Sequence, residues 1–320
     1  MRTLFGIEQE KENQIIEVNI YSDEVKNIVD PETKEKWHYI GLIVIPVQKE
    51  EVCLNNLLKA RFFENFSPEN DLSLVKKDEY FKKNNRIVHF SDLDADTFYI
   101  AKRWHSYLKN KCSEKEFYFN ILGICESRLS QRFFPRKEFI VVYNRFFRSA
   151  IAFALKKFFL KKNVKKIIIK EIFHEKGEQQ FNSLFPWHAI YKINKEENWP
   201  IYCKKKKITF IGKDHEKNKR ANFIQFIDVL LGVTRNAIHY TSKGKFQKRL
   251  TEEYFPLIKR LIYKPNNPNS KTYPSYHRRM NIDFFPKEKL TSADQLSRYK
   301  KMFYKKVKLN FEYRGQKKLL

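Results

Sequence analysis

The stretch at residues 39–47, YIGLIVIPV, decides the fold class because it is almost continuously apolar. Such a run predicts a β-strand that is buried on both faces, since a strand with one wet face would alternate apolar and polar side chains. A strand of this kind needs helices on both sides of its sheet, which indicates an α/β protein. The chain has only 8 Gly and 11 Pro, which argues against a protein built from many tight turns.

Further strands and helices alternate around this central run. The segment at residues 15–22 precedes it and ends in Asp23 and Glu24. We also predict strands at 86–90, 117–125, 164–173 and 208–211, and helices at 50–63, from Ser91 or Asp92 to about 108, at 138–161 and at 222–237. This order predicts a mixed sheet covered by helices, forming a domain of residues 1–262. A basic, aromatic C-terminal extension, residues 263–320, follows at a Pro- and Asn-rich stretch.

The charge balance predicts a polyanionic partner. The chain contains 64 Lys and Arg against 37 Asp and Glu, a formal net charge of +27. Neutralising phosphates releases counterions and drives binding, so nucleic acid is the expected partner, although a Lys-rich coding bias would give the same numbers. The side chains expected to contact it are Lys204, Lys205, Lys206, Lys207, Arg235, Lys300, Lys301, Lys305 and Lys306. A solvated surface is the alternative for each of these basic runs.

Several classes of protein are disfavoured by what the sequence lacks. No apolar run approaches the ~20 residues of a spanning helix, and the opening MRTLFGIEQEKENQ has no signal-peptide core, so we expect a cytoplasmic protein without a membrane span. The four cysteines are widely separated, which predicts reduced thiols rather than a zinc site. The absence of a Gly-rich phosphate loop and of a Gly-x-Ser-x-Gly elbow argues against nucleotide and serine hydrolysis.

A few acids stand out in this basic chain. Asp23 closes the first strand, where a rigid element can hold a carboxylate beside a ligand, or where it can simply cap a turn. Asp228 lies within the apolar segment FIQFIDVLLGV, where a charge is costly unless it binds a metal or pairs with a cation such as Arg235. Glu171 and Glu175 follow as candidates near the end of the strand predicted at 164–173, with a solvated helix start as the alternative.

Taken in order, these motifs resemble the ribonuclease-H-like proteins of domain-of-unknown-function family 3800. Members begin with a strand that ends in Asp-Glu-Ser-Gly, and IYSDEVK at residues 20–26 is similar. YIGLIVIP looks like the family's second strand, and IVHFSDL at residues 87–93 like its third. QFIDVLLG at residues 225–232 resembles the closing helix, Gln-Leu-Ala-Asp-Leu-Ile-Ala-Gly. The resemblance covers residues 15–237 of the chain.

The resemblance implies a ribonuclease-H-like fold with a metal-dependent nuclease site. Asp23 and Asp228 would be the first-strand and final-helix carboxylates, and Glu175, or alternatively Glu171, would be the acid after the strand that begins at Val164. We therefore expect Asp23, Glu175 and Asp228 to be catalytic. The expected metal ligands are Asp23, Glu24, Glu171, Glu175 and Asp228. Carboxylate oxygens suit Mg²⁺ or Mn²⁺, and a pair of such ions can stabilise the attacking and leaving oxygens of phosphodiester hydrolysis.

Two hypotheses about function follow. The first is a Mg²⁺- or Mn²⁺-dependent nuclease that hydrolyses RNA or DNA, in the mobile-element or anti-phage defence context that the resemblance implies. The second is a catalytically degenerate nucleic-acid-binding subunit or scaffold of a larger complex. Ile87 stands where the family often carries a Glu, which favours the second hypothesis, although Asp92 could substitute. The retention of Asp23, Glu175 and Asp228 favours the first. The oligomeric state and any protein partner stay open.

Overall fold

The computed structural model describes residues 14–111, 118–132, 139–160, 164–195, 200–262 and 275–286. These residues form a mixed β-sheet flanked by helices, so the predicted α/β class is confirmed. The strands are β1 (Gln14–Val29), β2 (Lys36–Pro46), β3 (Tyr118–Cys125), β4 (Val164–Glu175), β5 (Ile201–Cys203), β6 (Thr209–Ile211) and β7 (Met280–Phe285). The helices are α1 (Glu50–Phe62), α2 (Glu79–Asn84), α3 (Ala95–Lys111), α4 (Phe139–Phe159), α5 (Leu184–Pro186), α6 (Lys192–Lys195), α7 (Ala221–His239) and α8 (Lys245–Ile262).

The sheet has the strand order β5–β4–β1–β2–β3–β7, and β6 also pairs with β4. Strands β1, β2 and β3 form an antiparallel meander, whereas β4 runs parallel to β1. Parallel neighbours end at the same edge of a sheet, and Ser22 of β1 indeed pairs with His174 of β4. The register therefore places the next residues, Asp23 and Glu175, side by side.

Strand β2 is buried along nearly its whole length, as its composition predicts. Alternate residues of a strand point to opposite faces, and here both faces are covered. Ile43 packs in the layer formed with α1, α3, α7 and α8, while Leu42 packs in the layer dominated by α4. The sheet is therefore the middle of three layers.

Gly41 allows α7 to lie directly on the sheet. A Cβ atom at this position would stand 2.8 Å from side-chain atoms of both Ile227 and Leu231 in α7. Gly41 pairs with Asp23 in the adjacent strand. The close approach therefore brings Asp228, the residue after Ile227, over Asp23. Asp23 does not close the first strand as predicted, because β1 continues to Val29 by pairing with β2.

The strand predicted at residues 86–90 is wrong. The backbone N–H groups of Val88 and Phe90, which a strand would give to a neighbouring strand, donate instead to side chains of α7. Val88 donates to Gln225 Oε1 at 3.0 Å, and Phe90 donates to Asp228 Oδ2 at 2.7 Å. Because these backbone N–H groups already have acceptors, the segment can be buried without pairing to another strand.

The helix that follows begins later than predicted. It starts at Ala95, because the cap is Asp94 rather than Ser91 or Asp92. The Oδ1 atom of Asp94 accepts the backbone N–H of Thr97 at 3.0 Å, as an N-cap carboxylate does.

Part of the predicted C-terminal extension belongs to the sheet. Strand β7 lies beyond residue 262 and pairs in parallel with β3 at the sheet edge. The tail lysines Lys300, Lys301, Lys305 and Lys306 lie outside the described residues. None of the helices in the described ranges combines the length and apolar character that crossing a membrane requires.

Substituting Gly41→Ala should lower the free energy of unfolding by about 1–3 kcal/mol, because the added methyl group overpacks the contact with Ile227 and Leu231. Gly177→Ala is the matched control, since a Cβ atom there would meet nothing within 4 Å. Urea unfolding of both variants measures the difference. Equal stability of the two variants would contradict the close approach of α7 to the sheet.

Candidate active site

Three carboxylates from three elements converge on the ammonium group of Lys213. Its Nζ atom lies 2.9 Å from Glu175 Oε1, 3.2 Å from Asp228 Oδ1 and 3.9 Å from Asp23 Oδ2. Asp23 belongs to β1, Glu175 ends β4, Asp228 belongs to α7, and Lys213 follows β6. We call these four residues the carboxylate cluster.

The carboxylate cluster is largely shielded from water. Asp23 is 1% exposed, and the side chains of Lys213 and Asp228 are 11% and 10% exposed. Like charges repel more strongly in such surroundings than in bulk water, so three ionised acids would not be stable together without a cation. One ammonium does not balance three carboxylates, and the remaining negative charge favours either a bound proton or a further cation.

A proton shared between two of the acids accounts for part of this charge. Burial raises the pKa of the Asp23 carboxyl well above its usual range, and the neighbouring Glu175 raises it further. Burial alone would also raise the pKa of Glu175, but its hydrogen bond with Asp23 and the charge of Lys213 lower it overall. These opposite shifts favour a proton on Asp23 and a negative charge on Glu175. The three acids likewise raise the pKa of Lys213 despite its burial, so that it stays charged.

The two oxygens of Asp23 have different surroundings. Oδ1 accepts the backbone N–H of Glu24 at 2.7 Å, whereas Oδ2 receives no hydrogen bond from any described residue. A buried carboxylate oxygen without a donor is costly. The shared proton relieves this cost in the present arrangement, and a cation bound at the same oxygen would relieve it equally.

Gln225 fixes the two loops that close over the carboxylate cluster. Its Nε2 atom donates to the carbonyl oxygen of Lys213 at 2.6 Å, and its Oε1 atom accepts from Val88 at 3.0 Å and from Arg61 at 2.6 Å. Gln225 is fully buried. It precedes Asp228 by three residues in α7, so both side chains lie on the same helical face.

Gly232 brings a second backbone segment against Asp228. A Cβ atom at Gly232 would stand 2.0 Å from Phe90 Cγ, so only glycine allows the Phe90 ring to pack here. This packing aims the N–H of Phe90 at Asp228 Oδ2 and leaves Oδ1 facing Lys213. His89, which is partly exposed, places Nε2 3.7 Å from the same Oδ1 atom.

Asp228 is thus paired, but not with the residue that the sequence suggested. Its ion pair is with Lys213, whereas the guanidinium of Arg235 lies over the Phe90 ring, 5.6 Å from the ring centroid. Lys213 was missed because it is one of many lysines in a polar loop. Its position directly after the strand predicted at 208–211 is the signal that could have found it, since that strand runs parallel to β4.

Two of the predicted metal ligands lie outside the carboxylate cluster. Glu24 follows Asp23 in the strand and so points to the other face of the sheet, where its Oε2 atom is 3.3 Å from His174 Nε2. Glu171 lies further back along β4, where it pairs with Lys205 at 2.6 Å and accepts the Thr209 hydroxyl at 2.6 Å. In the described part of the chain, neither carboxylate forms an ion pair with Lys213.

The donor set of the carboxylate cluster suits a hard divalent cation. Asp23, Glu175 and Asp228 offer carboxylate oxygens from three rigid elements, the ligand type that Mg²⁺ and Mn²⁺ prefer. Among the described residues, however, no group of three or more His, Cys, Asp and Glu side chains already stands as a metal site. The ammonium of Lys213 lies between the acids. The residues therefore fit such a cation chemically, provided that Lys213 moves aside.

The basic run Lys204–Lys207 lies beside the sheet edge that leads to this cluster. All four side chains are exposed in the connection between β5 and β6, and the chain continues through β6 to Lys213. One of the four, Lys205, is engaged by Glu171. The run therefore lies on the same side of the sheet as β6, the strand that leads to Lys213.

Comparison with known proteins identifies no relative. No protein-family model matches the sequence, and no curated protein matches it. The resemblance to family 3800 therefore stays a prediction, and the function must be inferred from the geometry of the site.

Lys213→Gln should lower the free energy of unfolding by about 3–5 kcal/mol in the presence of EDTA, because it leaves buried carboxylates without their cation. Lys217→Gln is the control, because this exposed lysine of the same loop forms its ion pair in the described chain with Asp214, and its loss should leave the stability nearly unchanged. Chemical denaturation of both variants gives the comparison. Similar small losses in the two would show that Lys213 does not hold the cluster together.

Proposed function

We propose that this protein is a ribonuclease-H-like nuclease that uses Mg²⁺ or Mn²⁺ to hydrolyse phosphodiester bonds in RNA or DNA. The observation that carries the proposal is the convergence of Asp23, Glu175 and Asp228, from β1, β4 and α7, on a single cation. Buried acids are expensive, and a basic chain has no structural need to gather three of them. The free-energy cost of burying these three acids is explained if they bind metal ions that act on a phosphate.

The sheet arrangement supports the ribonuclease-H-like assignment. The resemblance implies a first-strand carboxylate and a final-helix carboxylate in one pocket. Strand β1 is central in the sheet, and α7 packs on its neighbour β2 at Gly41, with Asp228 above Asp23. Glu175 ends β4, the parallel neighbour of β1, and corresponds to the acid that the resemblance implies near the end of the strand beginning at Val164.

The side chains of the cluster would divide the work of hydrolysis. Asp23, Glu175 and Asp228 would hold the divalent ions, which when bound supply charge stabilisation for the attacking and leaving oxygens. Asp228 is held ready by the Phe90 N–H, and the Asp23–Glu175 pair releases its proton when a cation replaces it. Lys213, freed from the acids, has the charge and reach to contact a phosphate oxygen.

His89 is placed to handle a proton in this reaction. Its imidazole lies at the partly exposed side of the cluster, with Nε2 3.7 Å from Asp228 Oδ1. Histidine can donate or accept a proton near neutral pH. The departing oxygen of a cleaved phosphodiester needs a proton, and His89 would supply it from the open side.

One observation favours a second candidate function, a nucleic-acid-binding subunit without activity. The central place among the acids is taken by Lys213, and the neighbouring segment presents Ile87, which is 48% exposed, where the resemblance implies an acid. Asp92 does not fill that place, because its exposed carboxylate is turned toward His89 Nδ1, 3.3 Å away. A permanent ammonium would leave binding intact and abolish cleavage.

The nuclease proposal predicts cleavage of labelled RNA, DNA or RNA–DNA hybrid with Mn²⁺ or Mg²⁺ and none with EDTA. Asp228→Asn should reduce the rate by more than the about 10–100-fold that loss of a residue supporting a metal ligand costs. Glu171→Gln is the matched control, because this acid lies on the same strand as Glu175 but pairs with Lys205. It should retain most of the activity.

Three outcomes decide between the candidates. Cleavage that survives Asp228→Asn, or that is lost equally in Glu171→Gln, would contradict the site. Salt-sensitive binding of nucleic acid with no metal-dependent cleavage would favour the inactive subunit. Weak binding that is insensitive to salt would exclude both, since phosphate contacts impose a steep dependence on salt.

A further inference from the structure

An open cleft of about 450 Å³ lies next to the carboxylate cluster, between the end of α7 and the start of α8. The polar side chains that line it include Ser91, Arg235, Thr241, Ser242, Lys243 and Gln247. None of the described residues in its lining is an Asp or a Glu. Its volume falls in the range of about 300–1,000 Å³ that is usual for ligand sites. A lining that has two cationic side chains, several hydroxyl groups and no described acid favours the binding of an anion.

The guanidinium of Arg235 is within electrostatic range of Asp228, but among the described residues the two groups form no direct ion pair. One face of the group lies over the Phe90 ring, and its buried Nε atom makes no hydrogen bond to any described residue. A buried N–H without an acceptor is costly, and the planar fork of arginine matches the oxygens of a phosphate. The missing acceptor would therefore come from a ligand in the cleft.

The segment after α7 adds hydrogen-bond donors to the same wall. Tyr240 adopts a left-handed backbone with φ of 54°, a conformation that is strained for a bulky residue and that reverses the chain at this point. The next residue, Thr241, has a buried hydroxyl without a partner among the described residues. Ser242 and Lys243 follow, directly before α8, whose first turn faces the cleft with its positive dipole end.

Gln247 offers a hydrogen-bond acceptor to the cleft, whereas the other polar side chains offer donors. It is 9% exposed, its Nε2 atom donates to the carbonyl oxygen of Ser91 at 2.7 Å, and its Oε1 atom is buried without a donor in the described chain. An acceptor oxygen disfavours a bare anion but suits a hydroxyl group. The cleft thus offers donors to an anion and one acceptor to a hydroxyl, which are the requirements of a phosphate and its sugar.

The cleft lies about two helical turns from the carboxylate cluster along α7. Arg235 follows Asp228 by seven residues in α7, which places it on the same face about 10 Å along the helix axis. Ser91 follows Phe90, whose N–H donates to Asp228. A nucleic-acid strand bound at the carboxylate cluster carries further phosphates at regular intervals, so one of them can reach a cation about 10 Å away.

We propose that this cleft binds a backbone phosphate of a nucleic-acid strand, close along that strand to the phosphate at the carboxylate cluster, and that Arg235 is its main ligand. The identity of the anion rests on the proposed function. The buried donors without acceptors and the cationic lining are independent of that function, so binding in the cleft can be tested without measuring cleavage.

The test is the binding of a fluorescein-labelled single-stranded RNA in EDTA, followed by fluorescence anisotropy. Arg235→Gln should weaken binding about 5- to 20-fold and reduce the slope of log K against log salt by about 0.7, the contribution of one phosphate on a single strand. Arg249→Gln is the matched control, because Arg249 also covers a phenylalanine ring, that of Phe98, but is exposed and away from the cleft. It should change binding less than about twofold.

A second variant guards against misfolding. Lys243→Gln replaces an exposed lysine of the lining, so that its fold should be intact, and it should weaken binding about threefold. Binding of RNA that is unchanged in both Arg235→Gln and Lys243→Gln would overturn the proposal. So would a rise in melting temperature with inorganic phosphate but not with RNA at equal phosphate concentration, because the cleft would then be a site for a free anion.

The two proposals fail separately. Metal-dependent cleavage by the wild type, with RNA binding unaffected in the cleft variants, would support the nuclease proposal and contradict the phosphate site in the cleft. Weakened RNA binding in those variants, with no cleavage by the wild type in the presence of Mg²⁺ or Mn²⁺, would support the phosphate site in the cleft and contradict the nuclease proposal.

Discussion

The buried ion pairing of Lys213 with Asp23, Glu175 and Asp228 is the interaction on which the rest of this structure depends. It joins the central strand, its parallel neighbour, the helix above them and the loop after β6. Three acids could not share this space without a cation, and the cation could not be buried without the acids. Gly41 makes the arrangement possible, because it lets α7 approach the sheet closely enough for Asp228 to lie over Asp23 of β1.

The positive charge of the chain and the negative charge of the candidate site are compatible if a cation covers the acids. A chain with a net charge of +27 attracts a polyanion, yet its candidate site is acidic. A phosphate could approach these acids only if cations covered them, which a divalent ion would do and which Lys213 does in its absence. Arg235, two helical turns from Asp228, has a buried Nε–H group that no described residue accepts and that an adjacent phosphate could bind. The segment Phe90–Ser91 links the two sites, because the Phe90 N–H donates to Asp228 and Ser91 lines the cleft.

Much of the fold was predictable from local patterns, because continuous apolar runs and helical periods mark strands and helices that are buried. Asp228 was predictable for the same reason, as a charge inside an apolar helix. Glu24 was expected beside Asp23, although the alternation of side chains along a strand already places it on the other face. The conformation of residues 86–90 was not predictable locally, since their backbone N–H groups donate to side chains of α7 that are distant in sequence. Lys213 carried a local signal, its place after the strand predicted at 208–211, but its orientation toward the acids depends on the distant Gln225.

The central claim is that the acids around Lys213 form a divalent-cation site. A crystal structure of the wild-type protein grown with Mn²⁺, with data collected at the manganese absorption edge, tests it most directly. The account predicts an anomalous peak within bonding distance of the carboxylates of Asp23, Glu175 and Asp228, with the Lys213 ammonium displaced from between them. An ammonium still seated among the three acids at saturating Mn²⁺, with no anomalous peak, would contradict it.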